Sequence, residues 1–245
     1  MSPVTFAGWS AEYFNDALSF AISLGLLLGY RIYLRIRLRE DRHYTFQAIN
    51  RTARRQWVAN IMSDPARTIV GIQTLRNSTM AATFFASTAV LLTMGTLTLS
   101  GNYEKLHQSW HQLNVLGSLH PGLWTLKVLF LLSDFLVAFF SFAMAVRMFH
   151  HVGYLLGLCA DCRPKEVTPP IVAVHLNRAG KFYTTGMRAY FYSVPLVFWL
   201  FGPLFMAVSS GVLVIVLYYF DRAPRTIQEH LAMVPAPDPE NHEME

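Results

Sequence analysis

The clearest pattern in this chain is a set of four long apolar runs separated by polar, mostly basic connections. The runs occupy about residues 13–34, 77–99, 123–146 and 194–220. At a rise of about 1.5 Å per residue, an α-helix of this length crosses the roughly 30 Å hydrocarbon core of a bilayer. The pattern therefore predicts an all-α polytopic membrane protein. Residues 1–222 would form one membrane domain, a four-helix bundle of transmembrane helices.

The connections and ends of the chain contain weaker signals. Ser63-Asp64-Pro65 is a typical helix start, and the residues after it, like residues 171–190, show amphipathic helical spacing. We expect both segments to be amphipathic helices at the lipid head-group layer. Pro203 lies inside the fourth run and should kink that span, because proline removes a backbone hydrogen bond. Residues 223–245 are acidic and proline-rich, which predicts a disordered tail.

Charge is scarce in the chain and unevenly placed. Only 14% of residues are charged, against about a quarter in a soluble domain, and the net charge is +5. The five segments outside the predicted spans carry 0, 10, 1, 6 and 2 Lys and Arg residues in chain order, with Arg31 counted in the second segment and Lys127 left to its span. The positive-inside rule then places both termini on the outer, periplasmic side of the cell's inner membrane. Since topology accounts for the basic residues and no nucleic-acid-binding motif accompanies them, nucleic acid is not an expected partner. The N-terminus lacks a basic region before its apolar run, so we expect the first span to be retained rather than cleaved.

Asp134 lies in the middle of the third span. Lys127 and Ser141 are seven residues away on either side, so the three polar side chains share one helix face. A carboxylate at this depth costs roughly 2.5–3.5 kcal/mol to insert, and it should face the interior of the bundle. Hydroxyl side chains at the same depth in the other spans are those of Ser23, Ser87, Thr88, Ser209 and Ser210. Two hypotheses remain open: Asp134 is a proton or ion site of a transporter, or it is a buried structural hydrogen-bond hub.

Two groups of residues are weak candidates for metal binding. Glu104, His107 and His111 lie at i, i+3 and i+7, and carboxylate and imidazole groups at that spacing could hold zinc or copper. Cys159 and Cys162 form a Cys-x-x-Cys pair that could bind metal with a nearby histidine or act as a redox dithiol. We expect solvated histidines and reduced, inert thiols instead. No metal site and no cofactor is therefore predicted.

Three sequence blocks occur in order along the chain. They are QTLRNSTMA at residues 73–81, Arg147 with His151 and the following YLL, and GMRAYFYSVP at residues 186–195 with the later Trp199 and FGP. Over about residues 15–222 these blocks resemble the bacterial and plant membrane family catalogued as domain of unknown function 599. The resemblance implies a four-span membrane protein and no catalytic residues.

The blocks also contain five polar residues that fall at the predicted cytoplasmic ends of spans, namely Arg76, Asn77, Arg147, His151 and Arg188. They could form one cluster that binds an anionic head group or a small anion. Ordinary positive-inside anchoring is the alternative interpretation.

The chain contains no nucleophile–base constellation, P-loop, dinucleotide fingerprint or zincin motif, so we do not expect an enzyme. The leading hypothesis is an accessory or assembly subunit of a membrane complex. Its partners would be membrane lipids, anionic lipids among them, and other membrane subunits or further copies of itself. The alternative is an oligomeric transporter or channel for a small solute or ion that uses Asp134. A metal or redox protein is the third hypothesis.

Overall fold

The computed structural model describes residues 6–40, 44–101, 121–159 and 163–222, with side chains from residue 13 onward. These ranges form six helices: α1 (Phe6–Glu40), α2 (Phe46–Ser63), α3 (Thr68–Gly101), α4 (Pro121–Gly157), α5 (Pro169–Phe201) and α6 (Pro203–Asp221). Four of them are long and apolar enough to cross a membrane, namely α1 from Tyr13, α3 with the 3-10 turn before it, α4 and α6. The predicted all-α polytopic fold is confirmed.

Side-chain caps set the bounds of the basic connection between α1 and α3. The Thr45 hydroxyl accepts a hydrogen bond from the Ala48 backbone N–H at 3.3 Å and so begins α2. The Asp64 carboxylate accepts one from the Ala66 N–H at 2.9 Å, with Pro65 at the first position of the 3-10 turn (Pro65–Arg67). Both caps occupy backbone donors that would otherwise lack partners at a helix start. The predicted start at Ser63-Asp64-Pro65 is confirmed.

Helices α3, α4 and α5 form the core, with α4 in the middle. Phe142 of α4 is completely buried, and its ring contacts those of Phe85 on α3 and Tyr190 on α5. The Tyr190 hydroxyl donates a hydrogen bond to the Phe85 backbone carbonyl and so ties α5 directly to α3. At the other end of α5, Leu200 packs with Leu131, which precedes Phe142 along α4. Helix α5 therefore runs antiparallel to α4.

The prediction of one kinked span over residues 194–220 is wrong. Residues up to Phe201 belong to α5, Gly202 breaks the helix with φ = 148°, and α6 begins at Pro203. If α6 continued the direction of α5, Asp221 would lie roughly 50 Å from Arg188. The two side chains are instead 3.1 Å apart. Helices α5 and α6 are therefore an antiparallel hairpin.

This hairpin changes where the chain ends relative to where it begins. Asp16 of α1 contacts Trp199, near the hairpin turn, whereas Tyr30 contacts Asp221, at the end of α6. A backbone bridge between Thr45 and Arg222 also ties the end of α6 to the start of α2. The start of α1 and the end of α6 thus lie at opposite ends of the bundle. This arrangement differs from the single span predicted over residues 194–220, which would bring the end of the membrane domain back to the same end of the bundle as its beginning.

Candidate functional site

A cavity of about 500 Å³ lies between α1, α2, α5 and α6 at the end of the bundle where α6 ends. We call it the cationic cavity, because the described residues that line it include six basic side chains and one carboxylate, that of Asp221. The basic side chains are those of Arg31, Arg35, Arg51, Arg54, Lys181 and Arg188. This composition suits an anion, since guanidinium groups donate paired hydrogen bonds to carboxylate and phosphate oxygens.

The Asp221 carboxylate of the cationic cavity already has hydrogen-bond partners within the protein. Both Asp221 oxygens accept hydrogen bonds from Arg188 Nη2 at 3.1 Å. The Tyr30 hydroxyl lies 2.9 Å from Asp221 Oδ2 and 2.9 Å from the Leu217 carbonyl oxygen, and either oxygen can accept its hydrogen bond. Asp221 therefore balances Arg188. None of the other five basic side chains forms an ion pair within the described ranges.

Arg31 and Arg54 are the two partly buried cations among these five, whereas Arg35, Arg51 and Lys181 are exposed. Arg54 forms a close contact with α5. It lies on α2 and rests on Gly180 of α5, where an added Cβ would overlap the guanidinium group. Burial lowers the pKa of the Arg54 guanidinium, because the charged form loses solvation. An anion bound beside it would offset that loss. Two further buried polar atoms of the cavity wall, Arg31 Nε and Asn177 Oδ1, have no hydrogen-bond partner in the described part of the chain.

A second cavity, of about 650 Å³, adjoins the first between α2, α3, α4 and α5. We call it the apolar cavity, because Trp57, Leu75, Phe149 and Leu176 form much of its wall. It shares four lining residues with the cationic cavity, namely Asn50, Arg54, Gly180 and Thr184. The two cavities are therefore neighbours, with Arg54 at their boundary.

A buried ion pair lies at the opposite end of the bundle. Lys127 Nζ of α4 is 2.8 Å from Asp16 Oδ1 of α1, and the two side chains are 3% and 1% exposed. Trp199 of α5 donates a hydrogen bond from Nε1 to the same oxygen at 2.8 Å, and its ring lies 5.3 Å from Lys127 Nζ. The pair joins three helices. The sequence patterns do not reveal it, because helical spacing relates Lys127 only to residues of its own span and gives Asp16 no partner.

Asp134 does not form the predicted hydrogen-bond hub within the described part of the chain. Its Oδ2 atom is buried without a hydrogen-bond partner there, as is the Ser23 hydroxyl. The Thr88 hydroxyl donates to the Phe84 carbonyl, and the Ser209 and Ser210 hydroxyls donate to the Met206 carbonyl. Ser87 is exposed on α3.

The five residues of the predicted anion cluster are not brought together as one site. Arg188 lines the cationic cavity and Asn77 the apolar cavity, whereas Arg76, Arg147 and His151 are exposed and line neither. The basic residues that do share a cavity come from α1, α2 and α5. A charge count locates them on basic connections, but it does not show that α2 folds back onto α5.

The candidate metal ligands are only partly described. Glu104, His107, His111 and Cys162 lie outside the described residues. Cys159 is disulfide-bonded, so the expectation of a reduced thiol is wrong at this position. Among the described residues no group of three or more His, Cys, Asp or Glu side chains could hold a metal ion.

Comparison with known proteins places the chain in a family. No curated protein and no solved structure matches it. A family profile described as "Protein of unknown function, DUF599" matches residues 18–226, which include every residue that lines the two cavities. This match covers most of the chain, and the protein therefore belongs to the DUF599 family.

Proposed function

We propose that this protein is a non-catalytic membrane protein that binds an anion in the cationic cavity and serves as an accessory or assembly subunit of a membrane complex. One observation carries the proposal: five basic side chains line a cavity of about 500 Å³ without a carboxylate partner in the described ranges. Bringing unpaired cations together costs free energy through mutual repulsion, and desolvation adds to this cost at the partly buried Arg54. A bound anion removes most of that cost.

The proposed location is the inner membrane, with the cationic cavity facing the cytoplasm. This location takes α5 as a fifth membrane crossing beside the four helices that are apolar enough by themselves. With the turn at Gly202 as a separate segment, the segments carry 0, 10, 1, 6, 0 and 2 Lys and Arg residues in chain order. Basic and non-basic segments then alternate throughout, as the positive-inside rule expects. The N-terminus would be periplasmic and the C-terminus cytoplasmic.

Anion binding is tested by thermal unfolding of the purified protein in a neutral detergent. Ethyl phosphate is titrated at constant ionic strength, so that general screening does not change. At about a hundredfold excess over Kd, we expect the Tm of the unmodified protein to rise by roughly 5 °C. Arg54→Gln and Lys181→Gln should each abolish most of the rise.

Matched controls come from neighbouring residues on the same helices. Arg55 on α2 and Arg178 on α5 are exposed and line neither cavity, so Arg55→Gln and Arg178→Gln should keep the full rise. Equal responses from all four variants would show that the cationic cavity is not the binding site.

The accessory role is tested by purification from the native membrane in mild detergent with mass determination. A complex with other membrane subunits supports the role. A complex made only of copies of this chain contradicts it and favours the second candidate below.

A second candidate function, an oligomeric transporter or channel for a small solute or ion, draws support from Asp134. A buried carboxylate oxygen without a partner, inside a candidate membrane span, is a typical mark of an ion or proton site. Asp134→Asn should abolish proton-coupled flux in liposomes and leave Tm unchanged. An unchanged flux, or no flux in the unmodified protein, would reject this candidate.

A further inference from the structure

The two cavities differ sharply in chemistry although they share part of one wall. The cationic cavity is lined by six basic side chains, and the apolar cavity has Trp57, Leu75, Phe149 and Leu176 in its wall. A ligand that filled both would need a charged group and an apolar group joined within a short distance. Pockets of several hundred Å³ are the usual size for an organic ligand.

We propose that the ligand is an amphiphile, with a phosphate-class head group in the cationic cavity and a hydrocarbon chain in the apolar cavity. This inference rests on the proposed function, because it names the class of anion that the cationic cavity would hold. The head group and the hydrocarbon chain would meet at Arg54, since this residue lines both cavities.

Arg54 has the properties that such a boundary requires. The methylene groups of an arginine pack on apolar surface, while the guanidinium group reaches toward charge or water. Gly180 leaves room for the guanidinium group to lie directly against α5. Arg54 would then hold the head group at a fixed distance from the hydrocarbon chain in the apolar cavity. Such a fixed distance fits a single amphiphile better than two separate ligands.

The α3 wall of the apolar cavity belongs to a helix that presents apolar residues outward. Thr74, Ser78 and Ala81 line the cavity, while Val70 and Met80 on the same helix are 56% and 59% exposed. Helix α3 is among those long and apolar enough to cross a membrane, so these exposed side chains suit contact with acyl chains. The cavity thus adjoins a surface from which a hydrocarbon chain can enter.

The test compares two probes that share a head group. Dodecyl phosphate carries a hydrocarbon chain and ethyl phosphate does not, and each is titrated against the full-length protein in dodecyl maltoside. The variant Ser78→Leu adds bulk inside the apolar cavity. Its matched control is Ser87→Leu, because Ser87 is exposed on the same helix and lines neither cavity.

We expect the unmodified protein to respond to dodecyl phosphate at a concentration at least tenfold lower than it does to ethyl phosphate. Ser78→Leu should lose this tenfold advantage and keep the response to ethyl phosphate. Ser87→Leu should behave as the unmodified protein does.

Two outcomes would overturn the inference. One is equal potency of the two probes, and the other is an unchanged advantage in Ser78→Leu. Both leave the ethyl phosphate response sensitive to Arg54→Gln, whereas loss of that sensitivity would reject the proposed function itself.

Discussion

At the scale of single residues, the strongest constraint on α1 is the pair of Asp16 and Lys127. Burying two opposite charges is costly, and their attraction offsets the cost only when both are present and hydrogen-bonded. Trp199 supplies the additional hydrogen bond to Asp16 Oδ1. Many other side chains of α1 are exposed apolar groups, such as Leu18, Ile22 and Leu28. The position of this helix therefore depends strongly on a few polar contacts.

Lys127→Met should destabilise the protein by about 3–5 kcal/mol, because it leaves the Asp16 carboxylate buried without its cation. Asp16→Asn combined with Lys127→Met should recover most of the loss, since no charge then remains. Thermal unfolding in neutral detergent measures both effects. A double variant as unstable as the single one would show that the charge pair is not the cause.

Residue identity alone could not predict which polar groups meet. The intramembrane position of Asp134 follows directly from the apolar run around it, and the structure keeps its Oδ2 buried. The partner of Lys127, however, is Asp16, which lies 111 positions earlier in the chain (127 − 16). The pattern of the helix that carries Asp16 gives no sign of the contact. Helical spacing relates residues within one element, and it does not predict contacts between residues of different elements.

At the scale of elements, the hairpin of α5 and α6 depends on one backbone conformation. Gly202 has φ = 148°, a region that side chains with a Cβ rarely adopt. Pro203 then begins α6, a position that proline favours because its missing N–H needs no partner there. A proline inside an apolar run predicts a kink in one helix. With a glycine before it, the same proline begins a new helix in the opposite direction.

Gly202→Val should cost about 1–3 kcal/mol, because valine must adopt a strained backbone conformation or shift the turn. The control is Gly211→Ala in α6, where an added Cβ meets nothing within 4 Å. We expect this control to match or slightly exceed the stability of the unmodified protein. The comparison uses thermal unfolding, and equal stability of the two variants would contradict the role assigned to Gly202.

At the scale of the whole molecule, the hairpin places the end of α6 at the opposite end of the bundle from the start of α1. Local apolar runs predicted the membrane class, the helical fold and the central parts of α1, α3 and α4. Helix α3 begins at Thr68 rather than near residue 77, and α4 ends at Gly157 rather than near residue 146. The apolar runs did not predict the hairpin or the cationic cavity. Both arise because α5 packs along α4 and then returns through α6, and such contacts are not encoded in the hydropathy of any one segment.

Fusions to reporter proteins test this arrangement. Green fluorescent protein fused after Glu245 should fluoresce and alkaline phosphatase fused there should be inactive, because the proposed C-terminus is cytoplasmic. Phosphatase fused after Gly101, at the end of α3, should be active. Active phosphatase at the C-terminus would restore the single-span interpretation of residues 194–220.

The ion pair between Arg188 and Asp221 also has a consequence for biosynthesis. Helix α5 is made before α6, so during translation Arg188 enters the bundle before the carboxylate that neutralises it exists. Unlike α6, α5 is not apolar enough to count among the membrane-crossing helices. The described wall of the cationic cavity therefore gains its carboxylate only when Asp221, at the end of α6, has been made.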